Sequence, residues 1–222
     1  MPVLAYVLFA AAVLWCIGAV HAATRSKVFT AAVVALGAVH SVVAWRGTYT
    51  NALAFPPPQM LLLAPVVVAL LVALAMQRGR AWLGGLPLVP LTAVHVLRLP
   101  VELVLHQGYE AGLVPRDMTY SGFNFDIASG ISAALMLLWL RSKRPPGRGV
   151  LIAWNLACLV LLFIVVVTAV LSIPSSVQRI NFSTPNVLVT AVPWVLLPAM
   201  LVPVVLWAHV AALTGLLGGR RR

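Results

Sequence analysis

Acidic side chains are nearly absent from this sequence: Asp and Glu together number 4 in 222 residues, and all charged residues make up only 9%. A soluble globular domain carries about 25% charged side chains, so a water-soluble fold is excluded. Cysteine is scarce too. Cys16 and Cys158 both fall inside apolar runs, which leaves no disulfide framework and no zinc-ribbon spacing. Lysine is limited to Lys27 and Lys143, neither within an apolar run. No polar gap is long enough to hold a separate soluble domain. What the chain does have is apolar surface, with 62% hydrophobic residues. The net charge of +11 comes mainly from arginines in short gaps between apolar runs. A basic patch for nucleic acid is therefore not expected.

Crossing a hydrocarbon core of roughly 30 Å takes about 20 predominantly apolar residues in a helix. Seven segments approach this length, at about 2–23, 28–45, 57–76, 87–106, 122–140, 149–173 and 187–217. The expected fold is an all-α, polytopic membrane bundle of seven transmembrane helices, forming one integral membrane domain over 1–222. The last segment exceeds one bilayer thickness, so it must tilt strongly or lay its first turns on the surface. Val20-His21-Ala22 resembles a signal-peptide cleavage site, but no basic residue precedes the first apolar run, and that run is read as a retained span.

Cytoplasmic loops retain Lys and Arg. The gaps after spans one, three, five and seven hold Arg25, Lys27, Arg78, Arg80, Arg141, Lys143, Arg144, Arg148 and Arg220 to Arg222, whereas the opposite gaps hold only Arg46, Arg116 and Arg179. This places the N-terminus outside and the C-terminus in the cytoplasm. The preference for Arg over Lys, with much Ala, Val, Leu and Pro, fits a GC-rich genome and hence a bacterial inner membrane.

All four acids, Glu102, Glu110, Asp117 and Asp126, fall between the outer half of span four and the start of span five. Within span four, His95, Arg98, Glu102 and His106 follow spacings of 3, 4 and 4, a stripe about 80° wide on one helix face. Ionisable groups at membrane depth are costly, and by default they mark a functional site or water-filled cavity. Arg98 and Glu102 are also an i, i+4 pair that can neutralise itself as a structural ion pair. Asp126, however, has no basic partner in its own span and competes for Arg98, which leaves one carboxylate for a proton, a metal or a cationic ligand. Ser129, Gly130 and Ala133 share its face and allow close approach of another helix, for which span four is the natural candidate. Asn124 joins Asp126 only if span five starts irregularly, and His40 joins only if spans two and four are neighbours. The expected ligand- or proton-binding set is thus Arg98, Glu102, His106, Asn124, Asp126 and His40. His21, His95 and His209 read as packing histidines.

Three prolines, Pro193, Pro198 and Pro203, are expected to kink span seven, and the polar segment before it, from Ile173 to Pro193, to fold over the outer mouth. Known families were weighed on their residues. A retinal protein needs a lysine within the membrane, and there is none. Pro58-Gln59 forms a single PQ dipeptide at the mouth of span three, where a PQ-loop carrier would have one in each of spans one and five. Gly130-Ile131-Ser132-Ala133 is similar to the nucleophile motif of rhomboid intramembrane proteases, Ala208-His209 to their base, and Trp45-Arg46 opens an outer loop as in that family. The resemblance implies a Ser132–His209 dyad at about 3 Å. Against it, span three lacks a His or Asn for an oxyanion, and His209 lies nearer the inner end than Ser132.

A zinc, iron or haem site is the further alternative, with His40, His106, Glu102 and Asp126 as candidate donors. The leading expectation is transport or recognition of a small polar or cationic molecule in an outward-facing ionisable cavity. The lipid bilayer is the expected partner, and no particular cofactor is implied.

Overall fold

A computed structural model describes residues 1–219. Every regular element among them is helical. The apolar runs form helices because, without water, a backbone must satisfy its own hydrogen bonds. α1 covers Val3–Thr24 and α2 Lys27–Trp45, with Ser26 Oγ accepting from Phe29 N as the cap between them. α3 (Ala64–Ala75) breaks into α4 (Gln77–Gly84) through a 102° bend. α5 (Leu88–Val94) runs through a tight turn at His95–Leu97 into α6 (Arg98–Glu110). α7 covers Asp126–Leu140 and α8 Arg148–Ser172. A π-helical turn at Leu197–Leu201 leads into α9, Val202–Leu217.

Among the described residues, five helices are long and apolar enough to cross a membrane, or six if the bent α3–α4 pair is one span. This is consistent with a multi-pass membrane protein. The segment expected at 122–140 is the exception, since its helix starts only at Asp126 and has 15 residues. At 1.5 Å per residue that is about 22 Å, short of the hydrocarbon core.

Two other boundaries differ from expectation for physical reasons. The run at 57–76 opens with a 3-10 turn at Pro58–Leu62, and its α-helix begins at Ala64. Pro65 would fall inside a helix that started at 57, where it has no N–H to give to the Leu61 carbonyl, whereas at the second position of α3 none is needed. The long run at 187–217 is not one helix. Its residues up to Val195 fold as partly buried turns, and the apolar helix covers Leu197–Leu217. Pro193 lies inside the turn at 192–195 that precedes the helix, so it kinks no helix. Pro198 and Pro203 fall within the π-helical turn and just after it. The expected basic tail, Arg220 to Arg222, lies outside the described residues.

The inner helices are α5–α6 and α9. More than half of each is buried (56% and 61%), against 17–33% for α1, α2 and α8. α1 packs on α5 and α6, α7 on α5, α6 and α8, and α9 on α3, α4, α5 and α8. Proline again explains the local geometry. Pro100 has no N–H to give to the Val96 carbonyl, and the chain tightens to a 3-10 turn at that point, just before Arg98.

Candidate functional site

Arg98 opens α6 and is 2% exposed. Its Nε lies 3.1 Å from Asp126 Oδ2, while Nη1 and Nη2 each donate to the Cys158 carbonyl at 3.3 Å. One guanidinium thus ties α6 to the first residue of α7 and the middle of α8. The two helices meet closely because Gly130 faces the backbone of Leu99: a Cβ there would come within 2.8 Å of Leu99 N. The small-residue face of α7 therefore sets the distance at which Asp126 reaches Arg98.

Glu102, one turn further along α6, is 1% exposed. It does not pair with Arg98 through a hydrogen bond. Its Oε1 accepts from Asn124 Nδ2 at 2.7 Å, and the same amide donates to the Met118 carbonyl at 2.9 Å. Asn124 Oδ1 accepts from Asp126 N at 2.9 Å. Asn124 precedes the first turn of α7. The irregular start to this segment is what lets Asn124 and Asp126 face the same centre, and one amide bonds both the Glu102 carboxylate and the Asp126 backbone.

Three buried oxygens at this centre have no hydrogen-bond partner: Glu102 Oε2, Asp126 Oδ1 and Ser129 Oγ. Such atoms are costly to leave unpaired. Glu102 and Asp126, together with Arg98, lie on the wall of a cavity of about 430 Å³. The rest of that wall is nearly all apolar, with Ala64 and Val67 from α3, Val166 from α8 and Leu201 and Val205 flanking it from the last helix. Ser175, Val177 and Val189, from the segment expected to cover the outer mouth, also line it. That segment is anchored by Arg179 N and Asn186 N donating to the Leu171 and Ser172 carbonyls, both at 2.9 Å.

Two of the expected residues stand apart. His40 bonds the Tyr49 hydroxyl through Nδ1 at 2.5 Å, in a small cluster with Ala44, Leu62 and Val195. α2 packs on α1 and on the π-helical turn, so His40 is directed away from α6. His106 sits one turn beyond Glu102 and faces the loop. Its ring stacks on Tyr120 at 4.4 Å, with Ser121 Oγ at 3.3 Å and Glu110 Oε1 at 3.7 Å. The four proposed metal donors are therefore split among three places. Among the described residues, no group of three His, Cys, Asp or Glu side chains is arranged to hold a metal ion.

A second buried polar cluster lies on the other side of Arg98. His95 and His209 stack with centroids 3.9 Å apart, His209 Nδ1 contacts Asn155 Oδ1 at 2.9 Å, and Trp154 meets the His95 ring edge-on. Trp154 Nε1 donates to Ser132 Oγ at 3.0 Å, and Ser132 Oγ donates to the Ser129 carbonyl at 3.1 Å. Ser132 and His209 are thus each bonded to other residues, and the dyad that the rhomboid resemblance implies is not formed. Trp154 and Asn155 were not anticipated. Asn155 was detectable in principle, as an amide inside the apolar run of α8.

The model of a family described as a domain of unknown function, DUF8737, matches residues 55–217, close to three quarters of the chain. The match includes the whole Arg98–Glu102–Asn124–Asp126 centre and its cavity. No curated protein and no solved structure matches the chain.

Proposed function

The chain belongs to the DUF8737 family, and from that premise we propose that it is a multi-pass membrane protein that recognises or transports a small polar or cationic molecule at the Arg98–Glu102–Asp126 centre. One observation carries the reading: of two buried carboxylates only Asp126 pairs with the single guanidinium, and each presents an unpartnered oxygen beside a cavity. Arg98 neutralises Asp126. Glu102 has only a neutral amide, so with both acids ionised the centre holds an unmatched negative charge that a cation or a hydrogen-bond donor would complete.

The proposed setting is a bacterial inner membrane, crossed seven times, with α3 and α7 as short crossings and the N-terminus outside. Packing supports this arrangement by gathering basic residues at one end. Arg148 Nη2 donates to the Leu217 carbonyl, Gly84 abuts Gly215, and the Phe29 and Trp82 rings meet at a tilt with centroids 5.3 Å apart. These contacts bring Lys27, Arg78, Arg80 and Arg148 to the same end of the bundle as the end of α9. Arg116 and Arg179 belong to loops at the opposite end, where Val187 N and Leu188 N donate to the Leu113 carbonyl.

The test is ligand-dependent thermal stability of the purified protein in lipid nanodiscs. Small organic cations such as guanidinium and methylammonium should raise the melting temperature more than urea or methanol. That difference should vanish in Glu102→Gln. Equal stabilisation by neutral and cationic compounds would refute the reading, as would an unchanged response in the variant.

A further inference from the structure

We propose that the ligand of this centre is an amphiphile drawn from the bilayer: a protonated amine head bound at Glu102, with a single apolar chain held in the cavity, entering sideways between α3 and α8. The inference rests on the cation-recognition reading above and specifies its substrate class and route.

The shape of the bundle supplies the route. α3 and α8 both pack on α9, but they do not form a packed pair with each other. The cavity lies between them, with α6 and α9 behind it. Its rim reaches the surface of the protein, since the wall residues Val68 and Val170 are 58% and 42% exposed. These rim residues are apolar and sit on helices that meet lipid in a membrane-spanning bundle. The mouth therefore opens onto acyl chains rather than onto an aqueous vestibule.

The chemistry of the wall supplies the ligand class. A small hydrated cation entering this space would shed its water among valines and leucines and regain only one or two oxygens. An apolar chain suits those walls, and the volume lies within the roughly 300–1,000 Å³ range of small-molecule sites. The head is specified by what is missing. Glu102 is 1% exposed with Oε2 unpartnered, and Asp126 is 5% exposed with Oδ1 unpartnered. With both acids ionised, both free atoms are acceptors, so the head must donate hydrogen bonds. An ammonium does so and also offsets the charge that Arg98 leaves unmatched, whereas a quaternary ammonium only offsets charge and an alcohol only donates.

The experiment uses the full chain in zwitterionic nanodiscs and a photoreactive dodecylamine analogue with a diazirine in its chain, with labelled peptides mapped by mass spectrometry. Label should fall on α3, α8 and α9 lining residues. Dodecylamine should compete at least tenfold better than methylamine or dodecanol. Glu102→Gln should weaken that competition by tenfold or more. Val166→Trp, which fills the cavity, should abolish labelling.

If methylamine competes as well as dodecylamine and depends on Glu102, the cation site stands and the amphiphile inference falls. If dodecanol matches dodecylamine, the head is not recognised and the inference falls. If Glu102→Gln melts normally and changes nothing, both readings fall. Should Glu102→Gln not fold, Val166→Trp decides, because retained labelling there would overturn the proposed chain site.

Discussion

Arg98 has two carboxylates within reach of its helix face, and the choice between them decides how variants behave. Its bond by distance is to Asp126, and both side chains are almost fully buried. Arg98→Leu leaves a buried carboxylate without its counterion, a change that costs about 3–5 kcal/mol. Much of that loss should return in Arg98→Leu/Asp126→Asn and little of it in Arg98→Leu/Glu102→Gln, as read by denaturation in detergent micelles. The reverse order would show that Glu102 is the true partner. Asp126 therefore serves the fold, and Glu102→Gln is the variant that separates the proposed ligand binding from stability. Asn124 bonds both the Glu102 carboxylate and the Asp126 backbone through one amide. Asn124→Ala should cost about 1–3 kcal/mol by leaving Glu102 Oε1 and the Met118 carbonyl unpaired, and it should weaken ligand response by misplacing Glu102. A variant with unaltered melting would mean that the amide is dispensable.

Helices approach one another here where glycine permits it. The face of α7 carrying Gly130 presses on Leu99, and a methyl group at that position has no room. Gly130→Ala should force α7 from α6 at a cost of about 1–3 kcal/mol, and it should separate Asp126 from Arg98. Gly18, in α1, has nothing within 4 Å of the corresponding position. Gly18→Ala should therefore be neutral or stabilise by up to about 1 kcal/mol. Thermal unfolding of the two variants in the same detergent checks the contrast, and equal effects would remove the argument from close packing. The bend between α3 and α4 has a similar basis. A Cβ at Gly79 would run into the Ala73 carbonyl, and Arg80 Nη1 donates to the last carbonyls of α3, at Leu74 and Ala75. The polar α4 thereby leaves the apolar direction at once.

The whole molecule has to present its basic end to one side of the membrane. Reporter fusions after Lys143 and after Arg222 should both register the cytoplasm, and fusions after Gly47 and after Arg179 should register the outside. A cytoplasmic signal after Arg179 would invert the bundle, and the carboxylates of α6 and α7 would then lie toward the inner leaflet. The same molecular scale explains why the last helix holds so many contacts. α9 is the common support of α3, α4, α5 and α8, so the cavity wall and the basic end are both organised around it.

Composition and periodicity by themselves determined that the chain is helical, that several runs can cross a membrane, and that its acids converge near the junction of the fourth and fifth runs. These properties follow from local physics: apolar length, one-face spacing and loop charge. The same local rules misplaced the start of α7 and of the last helix, where proline and asparagine turn chemistry outweighs hydropathy. The partner of Arg98 was decided only by tertiary structure. An i, i+4 neighbour was available in Glu102, yet close packing of α7 brought Asp126 nearer, and Asn124 took Glu102 instead. Tertiary structure also separated His40 and His106 from the centre, since helix neighbours and rotation about the α6 axis are not encoded in spacing alone. The cavity is the clearest case. Its wall draws on α3, α6, α8 and α9 with loop residues between them, and a void between helices exists only once all of them are packed.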